Sequence, residues 1–207
     1  MSEVVLVDYG VGNTASVRRA LERLGAAVVK SGDPERVAAA RRVVLPGVGA
    51  FAPARERLAA TGLEEGLRAA LASGARLLGL CLGFQLLFES SAEFGVTRGL
   101  ALLAGRVEPF GPGARVPHVG WNRVEPAGSP PGRRILGGLP GGAWVYFVHS
   151  FRADGADPAD VAAWCDHGGR FPAAVERGEV WGCQFHPEKS SSAGRAILAA
   201  FLKEEPE

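Results

Sequence analysis

The sequence predicts an α/β fold built on a mostly parallel, doubly wound open sheet, with helices on both faces and an antiparallel edge. Short apolar runs alternate with helix-like segments from residue 4 to residue 89, the order expected of a parallel sheet. The run 76–80 is largely apolar, as expected of a strand that is buried on both faces. The stretch 109–142 is rich in Gly and Pro and lacks helical periodicity, which favours hairpins and loops along one edge.

The first half of the chain alternates strands with helices. Val17, Leu21 and Leu24 recur at helical spacing. Asp33 followed by Pro34 is typical of a helix start. Strands are predicted at 4–7, 26–30, 43–45 and 76–80, and helices at 14–24, 34–40, 53–73 with an interruption at 61–62, and 85–89.

The second half is predicted to contain strands that are partly antiparallel. These strands lie at 144–151, 161–165, 173–175 and 180–185, and a last helix follows at 193–203. The residues 204–207 are predicted to be frayed. Because a chain of 207 residues is long enough for one α/β core, residues 1–207 are predicted to form a single domain.

Composition argues against several classes of function. The formal net charge is +1 and the basic residues are scattered, so nucleic-acid binding is not expected. No run reaches the roughly 20 apolar residues of a membrane span, so no membrane contact is expected. Three cysteines without framework spacing fit a reducing, cytoplasmic compartment, and four scattered histidines predict no metal site.

Cys81 has the surroundings of a nucleophile. Gly79 and Gly83 lie two residues to either side of it, which is the G-x-S-x-G spacing with Cys in place of Ser, at the junction of a strand and a helix. Such a tight turn leaves little room for a Cβ atom, and it presents the thiol at a helix N-terminus that favours thiolate. A Cys in an apolar run is more often part of a core, but a core Cys needs no turn between two glycines.

A second motif supplies the base. Strand alternation over 180–185 places Gln184 and His186 on one face. Pro187 cannot donate to a sheet ladder, so His186 lies at the carboxyl end of the strand with Glu188 just beyond it. His186 can then accept the thiol proton, and Glu188 can hold the imidazole in the required tautomer.

The loop 46–49 (PGVG) follows another predicted strand and therefore lies at the same sheet edge as Cys81. Its glycines let the backbone approach a ligand closely. An acyl-transfer site needs an oxyanion donor besides Leu82 N–H, and a neighbouring strand-to-helix loop usually supplies it. The alternative is a simple turn.

These motifs resemble the class I, or triad, glutamine amidotransferases, and within them the glutaminase subunits of imidazole glycerol phosphate synthase. Five stretches carry the resemblance: 8–13 (DYGVGN), 45–51 (LPGVGAF), 79–85 (GLCLGFQ), 117–122 (PHVGWN) and 184–190 (QFHPEKS). The resemblance implies a flavodoxin-like sheet, hydrolysis of L-glutamine through a thioester on Cys81, and no metal or organic cofactor. It also implies a heterodimer with a (β/α)₈-barrel cyclase, which uses the ammonia to make imidazole glycerol phosphate and AICAR in histidine biosynthesis.

The resemblance also assigns further residues to the site. Gly47 and Val48 belong to the oxyanion loop, in which a peptide near Val48 rotates before its N–H points inward. Contacts with the substrate are implied for Gly49, Gln85, Ser150 and Phe151. Contacts with the cyclase are implied for Asn13, His118, Trp121, Asn122 and Lys189. Trp is enriched among interface anchors, although the alternative for 117–122 is a loop whose Trp packs locally.

Other interpretations stay open. The turn 10–15 fits the G-x-G-x-x-A of a nucleotide-binding module, but the second strand does not end in the acidic residue that would bind ribose. A class I glutaminase of the vitamin B6 type, or a Cys-His-Glu peptidase, would share the triad, and 117–122 argues against both. His149 is a rival base, yet no carboxylate follows within three residues. Cys165 and Cys183 are interpreted as core residues.

Overall fold

Two β-sheets and six helices make up the described part of the chain. The computed structural model describes residues 3–128, 134–136, 139 and 141–203, and the tail predicted to be frayed, 204–207, lies outside them. The strands are β1 Glu3–Val7, β2 Ala27–Ser31, β3 Arg42–Leu45, β4 Arg76–Leu80, β5 Ser90–Ser91, β6 Thr97–Arg98, β7 Arg106–Pro109, β8 His118–Pro126, β9 Ala143–His149, β10 Phe151–Asp154, β11 Val161–Asp166, β12 Arg170–Arg177 and β13 Val180–Cys183. The helices are α1 Thr14–Glu22, α2 Pro34–Ala38, α3 Phe51–Ala60, α4 Leu63–Ala72, α5 Leu82–Gln85 and α6 Ser191–Leu202.

The larger sheet has nine strands in the order β2-β1-β3-β4-β13-β12-β11-β8-β9. The first five of these are parallel to one another. From β13 onward each neighbouring pair is antiparallel, and the hairpin β8–β9 forms that edge. The predicted α/β class with a mixed, open sheet is therefore confirmed, and its antiparallel part extends over four strands beyond β13.

Helices cover both faces of the sheet, as the sequence predicts. Alternate residues of β1 point to opposite sides, with Val4 and Leu6 in one apolar cluster and Val5 and Val7 in the other. The first cluster takes its helical side chains from α1 and α6, and the second from α2, α3, α4 and α5. Within the described residues, no helix has the length and apolar character needed to cross a membrane.

The chain changes sheets at Ser150, where the sequence predicts one continuous strand, 144–151. β9 ends at His149 in the nine-stranded sheet, and β10 begins at Phe151 in a second sheet of order β10-β7-β5-β6. The sequence does not predict this second sheet, because two of its strands are only two residues long and carry no periodic pattern. The crossing brings residues 149–151 to the carboxyl edge of the parallel strands.

The helix after Cys81 also differs from the prediction of 85–89. Helix α5 begins at once with Leu82, and its Gln85 N–H donates to the Cys81 carbonyl at 3.1 Å. Cys81 is thus the single residue between the end of β4 and the start of α5. Cys81 itself serves as the N-cap residue, which places its side chain at the first turn of the helix.

Candidate active site

Cys81 is held in a strained turn by close packing around two glycines. Its φ is 53° and its ψ is −106°, a backbone conformation that is rare for any residue with a side chain. A Cβ atom on Gly83 would lie 1.9 Å from the Leu45 carbonyl oxygen, and one on Gly79 would lie 2.8 Å from the Gly83 carbonyl oxygen. Gly79 and Gly83 therefore allow β4, α5 and β3 to approach closely. The strained backbone angles belong to Cys81 and not to the glycines.

The predicted base, His186, and the predicted orienting carboxylate, Glu188, lie where the chain leaves the sheet after β13. β13 ends at Cys183, and the His186 N–H then donates to the Tyr146 carbonyl of β9 at 2.9 Å. The His186 and Glu188 side chains are both buried, and His186 Nδ1 lies 2.8 Å from Glu188 Oε1. Because a carboxylate can only accept, Nδ1 carries a proton and Nε2 is left to face the thiol.

The electrostatics of His186 favour the protonated imidazole. Burial by itself lowers the pKa of His186, but hydrogen bonds to Cys81 and Glu188, together with their charges, raise it to about 9. Among the described residues, Nε2 makes no hydrogen bond to another nitrogen or oxygen. The His186 imidazole is therefore placed to exchange a proton with the Cys81 thiol and to donate a proton to a leaving group.

The loop 46–49 lies against the elbow, but its peptide orientation does not offer a second donor. Leu82 N–H donates to the Gly47 carbonyl oxygen at 3.4 Å. A Cβ atom on Gly47 would lie 2.7 Å from Tyr9 Oη and 2.8 Å from Leu82 Cβ, so only glycine fits this contact. The Gly47 carbonyl thus occupies the Leu82 N–H that is predicted to be an oxyanion donor, and the predicted second donor, the Val48 N–H, belongs to the same peptide as that carbonyl.

The anchor of this loop is Tyr9. Its hydroxyl donates to the Pro46 carbonyl at 2.6 Å, and its ring is almost fully buried. Val48, by contrast, is 40% exposed. One end of the loop is consequently fixed to the segment that follows β1, Gly47 is buried, and Val48 lies at the surface.

A cavity of about 280 Å³ opens above Cys81. It is lined by all four predicted substrate residues, Gly49, Gln85, Ser150 and Phe151, and also by His186. A larger surface cavity of about 700 Å³ lies at the opposite, amino-terminal edge of the strands, where it is lined by Arg42, Arg76 and Glu179 among others and, within the described residues, by no cysteine or histidine. The predicted nucleophile and base therefore both line the smaller cavity.

Glu93 lines the same cavity, and the sequence analysis does not identify it. Its Oε2 accepts from the Phe51 N–H at the start of α3, at 2.6 Å. The residue lies in the turn between β5 and β6, where no period or motif marks it. Only the fold of the second sheet brings this carboxylate to the mouth of the cavity.

The edge hairpin divides the predicted partner residues between its two faces. Trp121 on β8 is 51% exposed and pairs across the hairpin with Tyr146 of β9, with ring centroids 6.2 Å apart. Lys189 is exposed, and its ammonium lies 5.5 Å from the Tyr146 ring centroid. His118 is 4% exposed and lies on the inner face of the hairpin, so a partner could not contact its side chain directly from the outer face.

Of the remaining predicted partner residues, Asn122 lies on β8 and Asn13 lies at the start of α1. The Asn122 amide is half-buried and donates to the Asp166 carbonyl at 2.9 Å. Asn13 is exposed and caps helix α1. Both therefore have structural hydrogen bonds in addition to any role in docking.

The rival assignments find little support in the geometry. His149 is buried against His118 and the Phe151 carbonyl, and burial is the main cause that lowers its pKa to about 3, so it is a poor base. Cys165 and Cys183 are buried, and burial raises both pKa values. Among the described residues, no three His, Cys, Asp or Glu side chains come together as metal ligands.

Comparison with known proteins identifies what the chain resembles. Residues 5–204 match the family model described as glutamine amidotransferase class-I. The chain is 46% identical over 199 residues to the imidazole glycerol phosphate synthase subunit HisH of Symbiobacterium thermophilum, covering 96% of this chain and 92% of that protein. It is 47% identical over 216 residues to HisH of Methylococcus capsulatus, covering 100% and 98%.

Solved structures share the fold at lower identity. A crystal structure of a glutamine amidotransferase superposes with a TM-score of 0.73 at 22% identity, covering 95% of this chain and 98% of that one. The structure of PurLQS from Thermotoga maritima gives a TM-score of 0.74 at 20% identity, with 97% of each chain covered.

Proposed function

The chain belongs to the class-I glutamine amidotransferases, and we propose that it acts as the glutaminase subunit of imidazole glycerol phosphate synthase in histidine biosynthesis. Its reaction is the hydrolysis of L-glutamine to glutamate and ammonia. This function is assigned to particular residues because Cys81, at the elbow, and His186 line the same cavity, and because the buried Glu188 is hydrogen-bonded to His186.

In the acylation step, the Cys81 thiolate attacks the side-chain amide carbon of glutamine. Negative charge develops on the amide oxygen, where Leu82 N–H and the rotated Val48 N–H would both donate to it. His186 then gives its proton to the departing nitrogen, so ammonia leaves and a γ-glutamyl thioester remains on Cys81. Glu188 keeps the imidazole oriented and stabilises its positive charge, as its 2.8 Å hydrogen bond to Nδ1 supports.

In the deacylation step, water attacks the thioester carbon. His186 is now neutral and accepts a proton from that water, while the same two N–H groups hold the oxyanion. Collapse of the intermediate breaks the carbon–sulfur bond, which releases glutamate and restores the thiolate and imidazolium.

The ammonia is delivered to another subunit. HisH is named as a subunit of a synthase in the related proteins, and we infer a heterodimer with a (β/α)₈-barrel cyclase. The exposed outer face of the hairpin β8–β9 supports this inference, because Val119, Trp121, Trp144 and Val148 are all large apolar side chains that are 38% to 61% exposed. They form the surface that we assign to the cyclase, together with Lys189.

The assay that tests this function compares glutamine hydrolysis by the purified chain with and without the cyclase from the same source. We expect slow hydrolysis by the chain alone and at least about a 10-fold increase on adding the cyclase, since the Gly47 peptide has to rotate first. Strong activity that ignores the cyclase would instead indicate a stand-alone glutaminase, such as the vitamin B6 type. A chain inactive under both conditions would contradict the assignment.

A further inference from the structure

A buried relay of hydrogen bonds joins the edge hairpin to the substrate cavity. Asn122 Nδ2 lies 3.2 Å from His118 Nε2, and His118 Nδ1 lies 2.9 Å from His149 Nε2. His149 Nδ1 in turn lies 2.8 Å from the Phe151 carbonyl oxygen. The two histidines face each other across β8 and β9 and are 4% and 6% exposed. The relay therefore runs from the inner face of the hairpin to a residue that lines the cavity.

The chemistry of the end groups fixes the position of every proton in this relay. A backbone carbonyl can only accept, so His149 Nδ1 carries a proton, and in a neutral ring its Nε2 is then an acceptor. His118 must donate to it from Nδ1, which leaves His118 Nε2 to accept from the Asn122 amide. Burial, with repulsion from His167, lowers the pKa of His118 to about 4, and burial lowers that of His149 to about 3. Both rings are therefore neutral at pH 7.

The same carbonyl of Phe151 also orients the amides beside the nucleophile. Gln85 Nε2 donates to it at 3.0 Å and to Gln184 Oε1 at 3.0 Å. Gln184 is therefore turned so that its Nε2 lies 3.9 Å from Cys81 Sγ. The Phe151 carbonyl oxygen thus determines which nitrogens of His149 and His118 carry protons. It also determines how the Gln85 and Gln184 amides are oriented.

The backbone at Phe151 needs such an anchor. Ser150 lies between β9 and β10, which belong to different sheets, so the sheet ladders are interrupted where the chain lines the cavity. We propose that His118 and His149 are positioning residues for glutamine binding, which hold the Ser150–Phe151 backbone and the Gln85 amide as a neutral pair with a fixed proton order. The proposal rests on the glutaminase function assigned above.

A packing role for His118 has to be separated from a hydrogen-bonding role. Its ring stacks on His167 at 3.9 Å and on Phe147 at 4.5 Å between centroids. His118→Phe keeps an aromatic ring there but removes the donor. His118→Asn keeps an N–H donor near the position of Nδ1, whereas His118→Gln moves its amide toward the position of Nε2. The wild type and the three variants differ in whether and where residue 118 can donate a hydrogen bond. If His118 served only for packing, these differences in donor position would not change glutamine binding.

The experiment measures kcat and KM for glutamine in the complex with the cyclase, at cyclase concentrations that saturate each variant. We expect His118→Phe and His118→Gln to raise KM about 10-fold with kcat within about 2-fold, because one buried hydrogen bond is lost. His118→Asn should stay within about 3-fold of the wild-type KM. His167 stacks on His118 but lies outside the relay. His167→Phe keeps an aromatic ring at that position, so it should leave KM unchanged. An unchanged KM in His118→Phe, or a KM in His118→Asn as high as in His118→Phe, would overturn the proposal.

A second measurement decides the relay without any activity. The ¹⁵N shifts of the imidazole nitrogens in the wild-type protein at pH 7 report which nitrogen carries the proton. We expect the Nδ1–H tautomer at both His118 and His149. An Nε2–H tautomer or a charged ring at either position overturns the relay even if the chain hydrolyses glutamine. Failure to hydrolyse glutamine with both Nδ1–H tautomers in place would refute the proposed function and leave the relay intact.

Discussion

Two strand-to-helix turns meet at the carboxyl edge of the sheet, and they are in different states. The elbow is complete, because Gly79 and Gly83 pack against neighbouring backbone and hold Cys81 at a φ of 53° beside its base. The loop 46–49 is incomplete, because the Gly47 carbonyl accepts the Leu82 N–H that an oxyanion would need. Both turns contain glycines that pack closely against their neighbours, but we propose that only the Gly47–Val48 peptide changes its orientation during function.

Because of this difference, the groups that react and the loop that would control the rate of hydrolysis are separate parts of the site. The thiol and the imidazole are placed by packing that no partner needs to create. The oxyanion site requires only one peptide to turn, and Val48 beside it lies at the surface. We therefore expect a partner to act on the loop by shifting its population, while the triad stays as it is.

Cys81→Ala should have the largest effect, because it removes the nucleophile from the complete turn. We expect glutamine hydrolysis to fall below detection, while synthesis from added ammonium by the reconstituted complex continues, since the cyclase site is untouched. Product formation with glutamine and with ammonium are measured side by side. Glutamine-dependent product from this variant would contradict the assignment of Cys81.

Gly83→Ala tests whether the elbow is locked by packing. A Cβ atom there would lie 1.9 Å from the Leu45 carbonyl oxygen, so strand and helix have to separate. We expect the free energy of unfolding to fall by at least about 2 kcal/mol in urea denaturation. The matched control is Gly111→Ala, since a Cβ on Gly111 would meet nothing within 4 Å. Equal stability of the two variants would mean that the elbow is not tightly packed.

Glu188→Gln weakens the triad without removing the reacting groups. The amide can still contact His186 Nδ1, but it cannot stabilise the imidazolium or select the tautomer as a carboxylate does. We expect kcat to fall by about 10- to 1,000-fold with the KM for glutamine little changed. Wild-type kinetics would show that Glu188 is not the third member of the triad.

The sequence predicts the elbow and the base better than the rest of the site, and the reason is distance along the chain. Cys81 and its glycines lie within five residues, and His186 and Glu188 lie within three, so local spacing carries the chemistry. Glu93 enters the cavity only through a sheet whose shortest strands have two residues, which leave no periodic trace. The pairing of His118 with His149 depends on the register of β8 and β9, which single-sequence patterns do not fix.

Trp121→Ala should have the smallest of these effects, because it changes the docking surface and not the reaction. We expect the dissociation constant for the cyclase to rise about 10-fold, as for loss of an aromatic anchor at an interface. Val96→Ala is the control, since Val96 is equally apolar and 86% exposed but lies in the turn between β5 and β6. Equal affinities of the two variants would place the cyclase elsewhere on the molecule.

The orientation of the Gly47–Val48 peptide in the working complex decides whether docking of the cyclase completes the proposed oxyanion site. The measurement is a crystal structure of the chain bound to the cyclase, with Cys81 covalently trapped by a thiol-reactive glutamine analogue. The account predicts that the Gly47 carbonyl has left the Leu82 N–H, and that the Leu82 and Val48 N–H groups both point at the trapped oxygen. A trapped complex in which Leu82 N–H still donates to Gly47, with the triad rearranged instead, would contradict it.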